Sequence, residues 1–393
     1  MMEKSTLNHA VKIGLHFYGI RPYLSTTILF RLYWITALST AQIFQYRYVI
    51  VNIDTDNFSE YMDGVSSAMA SSLLFIKLAI LWGNQKTFHE ILQMMAADWQ
   101  DYISNFGSHL MTSNAHLAHR SSRSIIGLQV VAVFFYTYGV LAANAGDPDR
   151  WEPYARELIL KMDFPFNIST NSIYIGITVV QFVHLMLVAC GITVINSLLV
   201  TLILHDCGQI DMLCEWLTKL FSRDASLSTN ETTSQSTGKI TMRSIIAKHQ
   251  RIIKFSDNVE DVYTYIALMI LLSDTLITCC LGFIIVTSIG TPNGGAILVK
   301  SVLFYITMNF EVFIYCFAGE YLSAKSKKIG NAAYDSLWYN TSIKNSRTIL
   351  FVILRAQKRL TITSGKIVDL SLERFTSVVK ASASYISVLL AMY

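Results

Sequence analysis

The sequence predicts an all-α membrane protein: seven transmembrane helices, a cytoplasmic N-terminus, and helical extensions that form a cytoplasmic anchor domain. Three observations carry this. Of 393 residues, 52% are apolar and only 15% charged, against about a quarter charged in a soluble chain, and the mean hydropathy is +0.42. Seven segments are apolar enough and approach the ~20 residues that cross ~30 Å of hydrocarbon. The Lys and Arg residues are sorted between alternate loops. None of the seven runs alternates as a barrel strand would, and lipid cannot satisfy an open backbone, so the segments are helices.

Residues 1–23 are read as a cytoplasmic N-terminal segment. It has no apolar core and no small-residue cleavage site, so it is not a signal peptide, and the first span must direct insertion. Residues 24–322 then hold six helices and their loops: Leu24–Tyr48, Gly64–Gly83, Ser124–Ala145, Asn171–Leu204, Val262–Gly290 and Ala296–Leu322. The fourth carries no Asp, Glu, Lys or Arg. At 1.5 Å per residue it would reach about 50 Å, so its excess must be buried in protein beyond the membrane. Ile245, Ile246, Ile252, Ile253 and Val259 recur at helical spacing before the fifth span, so that helix should run straight into it. Residues 222–241, rich in Ser and Thr, read as a flexible cytoplasmic loop. Residues 323–369 form a cytoplasmic anchor region, in which the apolar stretch Thr348–Leu354 is too short to cross. Residues 370–393 are the seventh helix.

With the N-terminus inside, 22 of the 31 Lys and Arg residues fall in cytoplasmic segments and only Arg150, Arg156 and Lys161 outside, as the positive-inside rule requires. A G-protein-coupled receptor would need the opposite orientation. Its Asp-Arg-Tyr motif is only mimicked by Asp149-Arg150-Trp151, which lies on the outer side, and all five prolines fall in loops. The lack of mid-span breaks also argues against a transporter. The six cysteines lie in or beside apolar stretches, so no disulfide framework is expected. His116 and His119 have metal-like spacing but no Cys or carboxylate companions, and they read as solvated or packed. No metalloprotease, phosphate-loop, serine-hydrolase or dinucleotide motif occurs, so no enzyme, cofactor, metal or nucleic-acid partner is expected.

Several passages resemble the insect odorant receptor family. The strongest lie in the C-terminal third: Phe313-Ile-Tyr-Cys-Phe-Ala-Gly-Glu-Tyr-Leu, Ala333-Tyr-Asp-Ser-Leu-Trp-Tyr, Leu354-Arg-Ala-Gln-Lys-Arg-Leu-Thr-Ile-Thr-Ser-Gly-Lys and Leu372-Glu-Arg-Phe-Thr-Ser-Val-Val-Lys. Phe164-Pro-Phe-Asn, His205-Asp-Cys-Gly-Gln-Ile and His249 are weaker echoes. The resemblance implies a ligand-sensing subunit that joins the coreceptor Orco in a heterotetrameric, odorant-gated, non-selective cation channel. Its partners would be a small volatile organic odorant, Orco and membrane lipid. Its place would be the plasma membrane of olfactory neuron dendrites. A gustatory-type homomeric channel is the alternative within the superfamily; it would typically end in a Thr-Tyr motif with a following glutamine, where this chain has Ser384-Tyr385 without it.

Lys380, Ser384, Val388, Ala391 and Met392 share one stripe of the last helix. The stripe either lines a pore, with Val388 and Met392 as a dewetting gate, or packs against a neighbouring helix. By resemblance, Val388 matches the family's pore-closing valine, and Ala391 replaces a glutamine seen in Orco. Lys380 faces an aqueous vestibule or pairs with an acid such as Glu373 on an adjacent helix. Lys77 and Lys300 lie near span ends, where they can snorkel, and Asp274 and Glu311 are intramembrane acids without an assigned role. An odorant pocket, implied in the outer half of the membrane, draws attention to three sets of residues: Met69, Ser72 and Leu73 on span two, the aromatic cluster Phe134, Phe135, Tyr136 and Tyr138 on span three, and Tyr174, Thr178 and Gln181 on span four. Ordinary helix packing is the alternative for each.

Overall fold

The computed structural model describes residues 7–20, 27–54, 57–105, 109–146, 156–168, 170–224, 241–289 and 294–392. The Asp149-Arg150-Trp151 triplet, residues 225–240 of the expected flexible loop, and four of the five prolines lie outside these. Ten helices run through the described residues: α1 (His9–Phe17), α2 (Thr27–Val51), α3 (Phe58–Gly83), α4 (Gln85–Asn105), α5 (His109–Gly146), α6 (Asn171–Asp224), α7 (Met242–Ser288), α8 (Gly294–Asp335), α9 (Ile343–Ala356) and α10 (Leu372–Met392).

The seven spans lie in α2, α3, α5, α6, α7, α8 and α10. Five of them, α3 and α5 to α8, are long and apolar enough to cross a membrane on composition alone. The other two are shifted toward polarity by a few residues. On α2 these are Arg31 and Arg47, near its two ends. Arg31 donates to the Gly19 carbonyl at 2.8 Å and lies over the Trp82 ring, and Arg47 pairs with Asp163 at 2.7 Å. On α10, Glu373 and Arg374 sit in the first turn, and Lys380 lies on an exposed face.

Long helices build the layer beyond the membrane. α6 has 54 residues and α7 has 47, more than twice the ~20 a span requires. The Ile-rich segment before the fifth span is continuous with it, as expected, and begins at a capping box between Thr241 and Ser244. The extensions of α6 and α7 pack with α4, which has no counterpart in the expected spans. Lys325 of α8 donates to both carboxylate oxygens of Asp211 on α6 at 2.7 Å. The short apolar stretch at 348–354 lies in α9, an amphipathic helix that buries Ile349, Val352 and Ala356.

One piece of strand interrupts the all-helical expectation. Thr363–Ser364 and Val368–Asp369 pair antiparallel around Gly365, Lys366 and Ile367; the Ile367 amide donates to the Ser364 carbonyl at 3.1 Å, and Gly365 and Lys366 both sit at φ near +60°. Backbone amides of Gly365 and Lys366 donate to Thr264 of α7. The hairpin thereby fixes where α10 begins.

The snorkelling expectation for Lys77 and Lys300 does not hold. Both are buried. Lys77 pairs with Glu311 of α8, and Lys300 pairs with Asp63 of α3 at 2.5 Å. Charges at such depth are tolerated when they face the bundle and meet an opposite charge. All six cysteines are free thiols.

Candidate functional site

A cavity of about 100 Å³ lies between α3, α5, α6 and α8, toward the middle of the spans. The helices can enclose it because their facing positions are small or medium-sized. Ala70 comes from α3, Ala132 from α5, and Ala189 and Ile192 from α6. Beside them Gly191 lets α6 approach α3: a Cβ there would lie 3.1 Å from Leu74. The volume is of the order of the ~150 Å³ apolar cavity that admits benzene. The walls are mainly apolar, with a few polar groups between, which is the pattern of a small-molecule site.

The outer end is roofed. Tyr136 of α5 lines the cavity, and Lys300 sits 5.3 Å above its ring while paired with Asp63. Leu160, from the segment before α6, also lines the cavity. Gln181 fixes it there: its Oε1 accepts from the Leu160 amide at 3.2 Å and its Nε2 donates to the Leu160 carbonyl at 3.0 Å. A second clasp lies further out. Asn144 exchanges two hydrogen bonds with the Glu157 backbone, whose carbonyl also accepts from Tyr174 at 3.1 Å.

The inner end is charged. Glu311 lines the cavity and pairs with Lys77. Asp274 of α7 is fully buried, lies close enough to both to interact electrostatically, and neither of its oxygens has a hydrogen-bond partner. One turn on, Thr278 meets Ser382 of α10, Oγ to Oγ at 2.8 Å. A short chain of contacts thus leads from the cavity floor to the last helix.

The ten pocket residues singled out from sequence do not converge on one surface. Tyr136 is the one that lines this cavity. Tyr174 and Gln181 hold the roof, and Thr178 donates back to the Tyr174 carbonyl. Phe134, Phe135 and Tyr138 point outward, with Tyr138 69% exposed. Leu73 is buried in the core, and Met69 packs against that core. Ser72 meets Tyr46 at 2.8 Å in the α2–α3 seam. Ser67, Ser71, Thr193, Asn196, Thr307 and Glu311 line the cavity without having been singled out as pocket residues. Their signal is present in the sequence: Ser67 and Ser71, Thr193 and Asn196, and Thr307 and Glu311 are polar pairs three or four apart within apolar helices.

α10 has two unlike faces. Phe375 and Val378 pack on the core, Ser382 is buried, and Ile386 fills the space over Gly282 of α7, where a Cβ would lie 2.1 Å from it. Lys380, Ser384, Val388 and Ala391 are all exposed, Val388 by 56%. Among the described residues this stripe does not pack on a neighbouring helix of the same chain, and Lys380 makes no ion pair. Met392 closes the helix, but its side chain lies outside the described residues.

A seven-helix bundle with a roofed apolar cavity and one helix face left open has the architecture of a membrane receptor for small molecules. The sequence pattern of the family described as 7tm Odorant receptor matches residues 57–383, and the chain belongs to that family. Odorant receptor 13a of Drosophila melanogaster is 22% identical over 394 residues, covering 95% of this chain and 91% of the relative. Odorant receptor 10 of Aedes albopictus is 30% identical over 149 residues, 38% of this chain and 39% of its own length. The solved structure of the insect olfactory receptor OR5 from Machilis hrabei in complex with eugenol matches with a TM-score of 0.76 at 13% identity, over 98% of this chain and 96% of that one. This is therefore a membrane protein of the insect odorant receptor type, and not an enzyme.

Proposed function

We propose that this chain is the ligand-sensing subunit of an odorant-gated, non-selective cation channel, assembled with the coreceptor Orco as a heterotetramer in the dendritic membrane of olfactory sensory neurons. The observation that carries the reading is the division of α10. One face is bonded to α7, whose Asp274 neighbours the cavity floor. The other presents Lys380, Ser384, Val388 and Ala391 to whatever lies outside the chain. In a ring of subunits that face lines the conduction path, with residues 370–393 as the pore helix and residues 323–369 in the anchor region. The ligand is a small volatile held in the cavity; the similar receptor OR5 was solved in complex with eugenol, a ligand of that class. Binding shifts α10 toward the open arrangement, because only a ligand with unequal affinity for two states can move an equilibrium between them.

The test is whole-cell current under a broad volatile panel, with the chain expressed alone and with Orco. Current only with Orco is the expected result; current from the chain alone points to a self-sufficient channel. Val388→Ala widens a constriction that closes by dewetting. It is expected to raise basal current or alter block, and unchanged gating and permeation would count against Val388 as the gate.

A further inference from the structure

Among the polar groups on the cavity wall, hydrogen-bond acceptors outnumber donors. Four Ser and Thr hydroxyls line it, and each spends its hydrogen on its own helix. Ser67 donates to the Gly64 carbonyl at 3.0 Å and Ser71 to Ser67 at 3.1 Å. Thr193 donates to Ala189 at 2.7 Å and Thr307 to Phe304 at 2.8 Å. What these side chains offer inward is lone pairs. Glu311 adds a carboxylate, and the Oδ1 of buried Asn196 has no partner. Set against these, the amides of Asn196 and Gln129 and the phenol of Tyr136 at the roof are the donor groups of the lining that are not bonded to their own helices.

We infer that the cavity selects small ligands that carry a hydroxyl donor, an alcohol or a phenol on a compact apolar body, over ethers, aldehydes, ketones and hydrocarbons of the same skeleton. The inference rests on the cavity being the odorant site. An O–H meets a ready acceptor on α3, α6 or α8 without displacing any existing bond. An ether or carbonyl oxygen meets mostly lone pairs. It must either stay unpaired away from water, which is unfavourable, or pull a wall hydroxyl off its helix carbonyl. A site built to bond a hydroxyl rejects the analogue lacking it far more strongly than it rejects a missing methylene.

The experiment records current from the full chain with its coreceptor while matched sets are applied: benzyl alcohol, its methyl ether, benzaldehyde and toluene, with the corresponding sets on linear and branched skeletons. The alcohol of a set is expected to act at a half-maximal concentration about tenfold lower than its ether or carbonyl analogue, the ratio given by one well-made hydrogen bond. In Thr193→Val and Ser71→Ala, which remove acceptor oxygens, that ratio is expected to shrink while responses to the ether persist. A general packing defect would lower both alike. Ala189→Phe fills the cavity and is expected to abolish all responses with surface protein retained. If Ala189→Phe leaves responses intact, or if every set is silent in a surface-expressed receptor, the cavity is not the odorant site. If Ala189→Phe abolishes responses and ethers or carbonyls match their alcohols, the cavity stands and the hydroxyl preference is overturned.

Discussion

Two buried charge clusters on this chain are built to opposite plans. In the layer beyond the membrane, one carboxylate is surrounded by donors. Asp98 of α4 lies 3.2 Å from the His205 Nε2 of α6, 2.8 Å from the Arg251 guanidinium and 3.6 Å from the Lys248 ammonium of α7. Burial alone would push the Asp98 carboxyl up; the hydrogen bond from His205 and the charges of Lys248 and Arg251 outweigh it and hold the carboxyl below its usual range. Within the membrane the balance is reversed. One ammonium, Lys77, serves two carboxylates, and Asp274 is left without a hydrogen bond. The first cluster ties α4, α6 and α7 together well away from the cavity. The second lies between the cavity and the helix that carries α10. The first cluster sets two cations and a histidine around Asp98, although Asp98 Oδ1 and both oxygens of buried Asp206 have no hydrogen-bond partner; the second sets one ammonium, paired with Glu311, beside two carboxylates. The shortage of positive charge lies on the route proposed for the ligand signal.

Removing the single cation should show the largest effect. Lys77→Met leaves Glu311 and Asp274 buried together with no counter-charge, a change of the kind that costs about 3–5 kcal/mol. Loss of surface protein and of folded receptor in detergent is expected. Lys77→Arg keeps the charge and should recover folded protein while altering the ligand dose–response. Normal surface levels and an unchanged melting temperature in Lys77→Met would mean that the cluster is not organised around this residue.

The cytoplasmic layer makes a different prediction, in pH. His249 on α7 is buried, and burial, then the neighbouring Arg355, lowers its imidazole to about 4. The unfolded chain would take up that proton near pH 6.5, so between the two values the unfolded state binds more protons. Stability should therefore fall as the cytoplasmic side is acidified from about pH 6.5 toward 4, by up to about 3 kcal/mol. Asp98 does not confuse the measurement, because its contribution is fully present above about pH 3.9 and is lost only in stronger acid. Buried Asp206, whose carboxyl is held well above its usual range by burial, works in the opposite sense, so the difference between wild type and the His249 variant carries the test. His249→Gln removes the proton site and should flatten the pH dependence of thermal unfolding in that window. An equally steep profile in the variant would move the effect to another group.

Pattern dictated by the bilayer is legible in the sequence; which helix face meets which neighbour is not. Hydrocarbon thickness demands long apolar runs, so the spans and the overlong α6 and α7 were legible. Lys77 and Lys300 were not, because their partners Glu311 and Asp63 lie 234 and 237 residues away, and position along a helix says nothing about which neighbour it faces. The pocket was misleading for a reason particular to membranes. Phe134, Phe135 and Tyr138 draw the eye as binding residues, yet a large apolar side chain is stable against lipid and need not turn inward. Polar residues have more to gain from facing protein. Ser67, Ser71, Thr193, Asn196 and Thr307 are the more telling set, and their spacing is visible in the sequence. On α6 the cavity begins with Leu185, one turn beyond Gln181.

The smallest expected effect tests the last link, between α7 and α10. Ser382→Ala removes the 2.8 Å contact with Thr278, and Thr278 keeps its bond to the Asp274 carbonyl at 2.6 Å. Interhelical hydrogen bonds within membranes are worth roughly 0.6 kcal/mol, so folding should be almost unaffected. Gating is a closer balance than folding, and the same energy is about a threefold change in an equilibrium. Ser382→Ala should therefore shift basal current and half-maximal ligand concentration by about that factor, leaving the order of ligand preference untouched. Gly282→Ala approaches the same seam from the other side, since its methyl group must displace Ile386. If the seam transmits the signal, both variants move gating and neither moves ligand selectivity. A change in selectivity with unchanged gating would place the connection between cavity and pore helix elsewhere, and α8, which packs against α10 through Phe313 and Phe375 at 5.6 Å, would then be the route to examine.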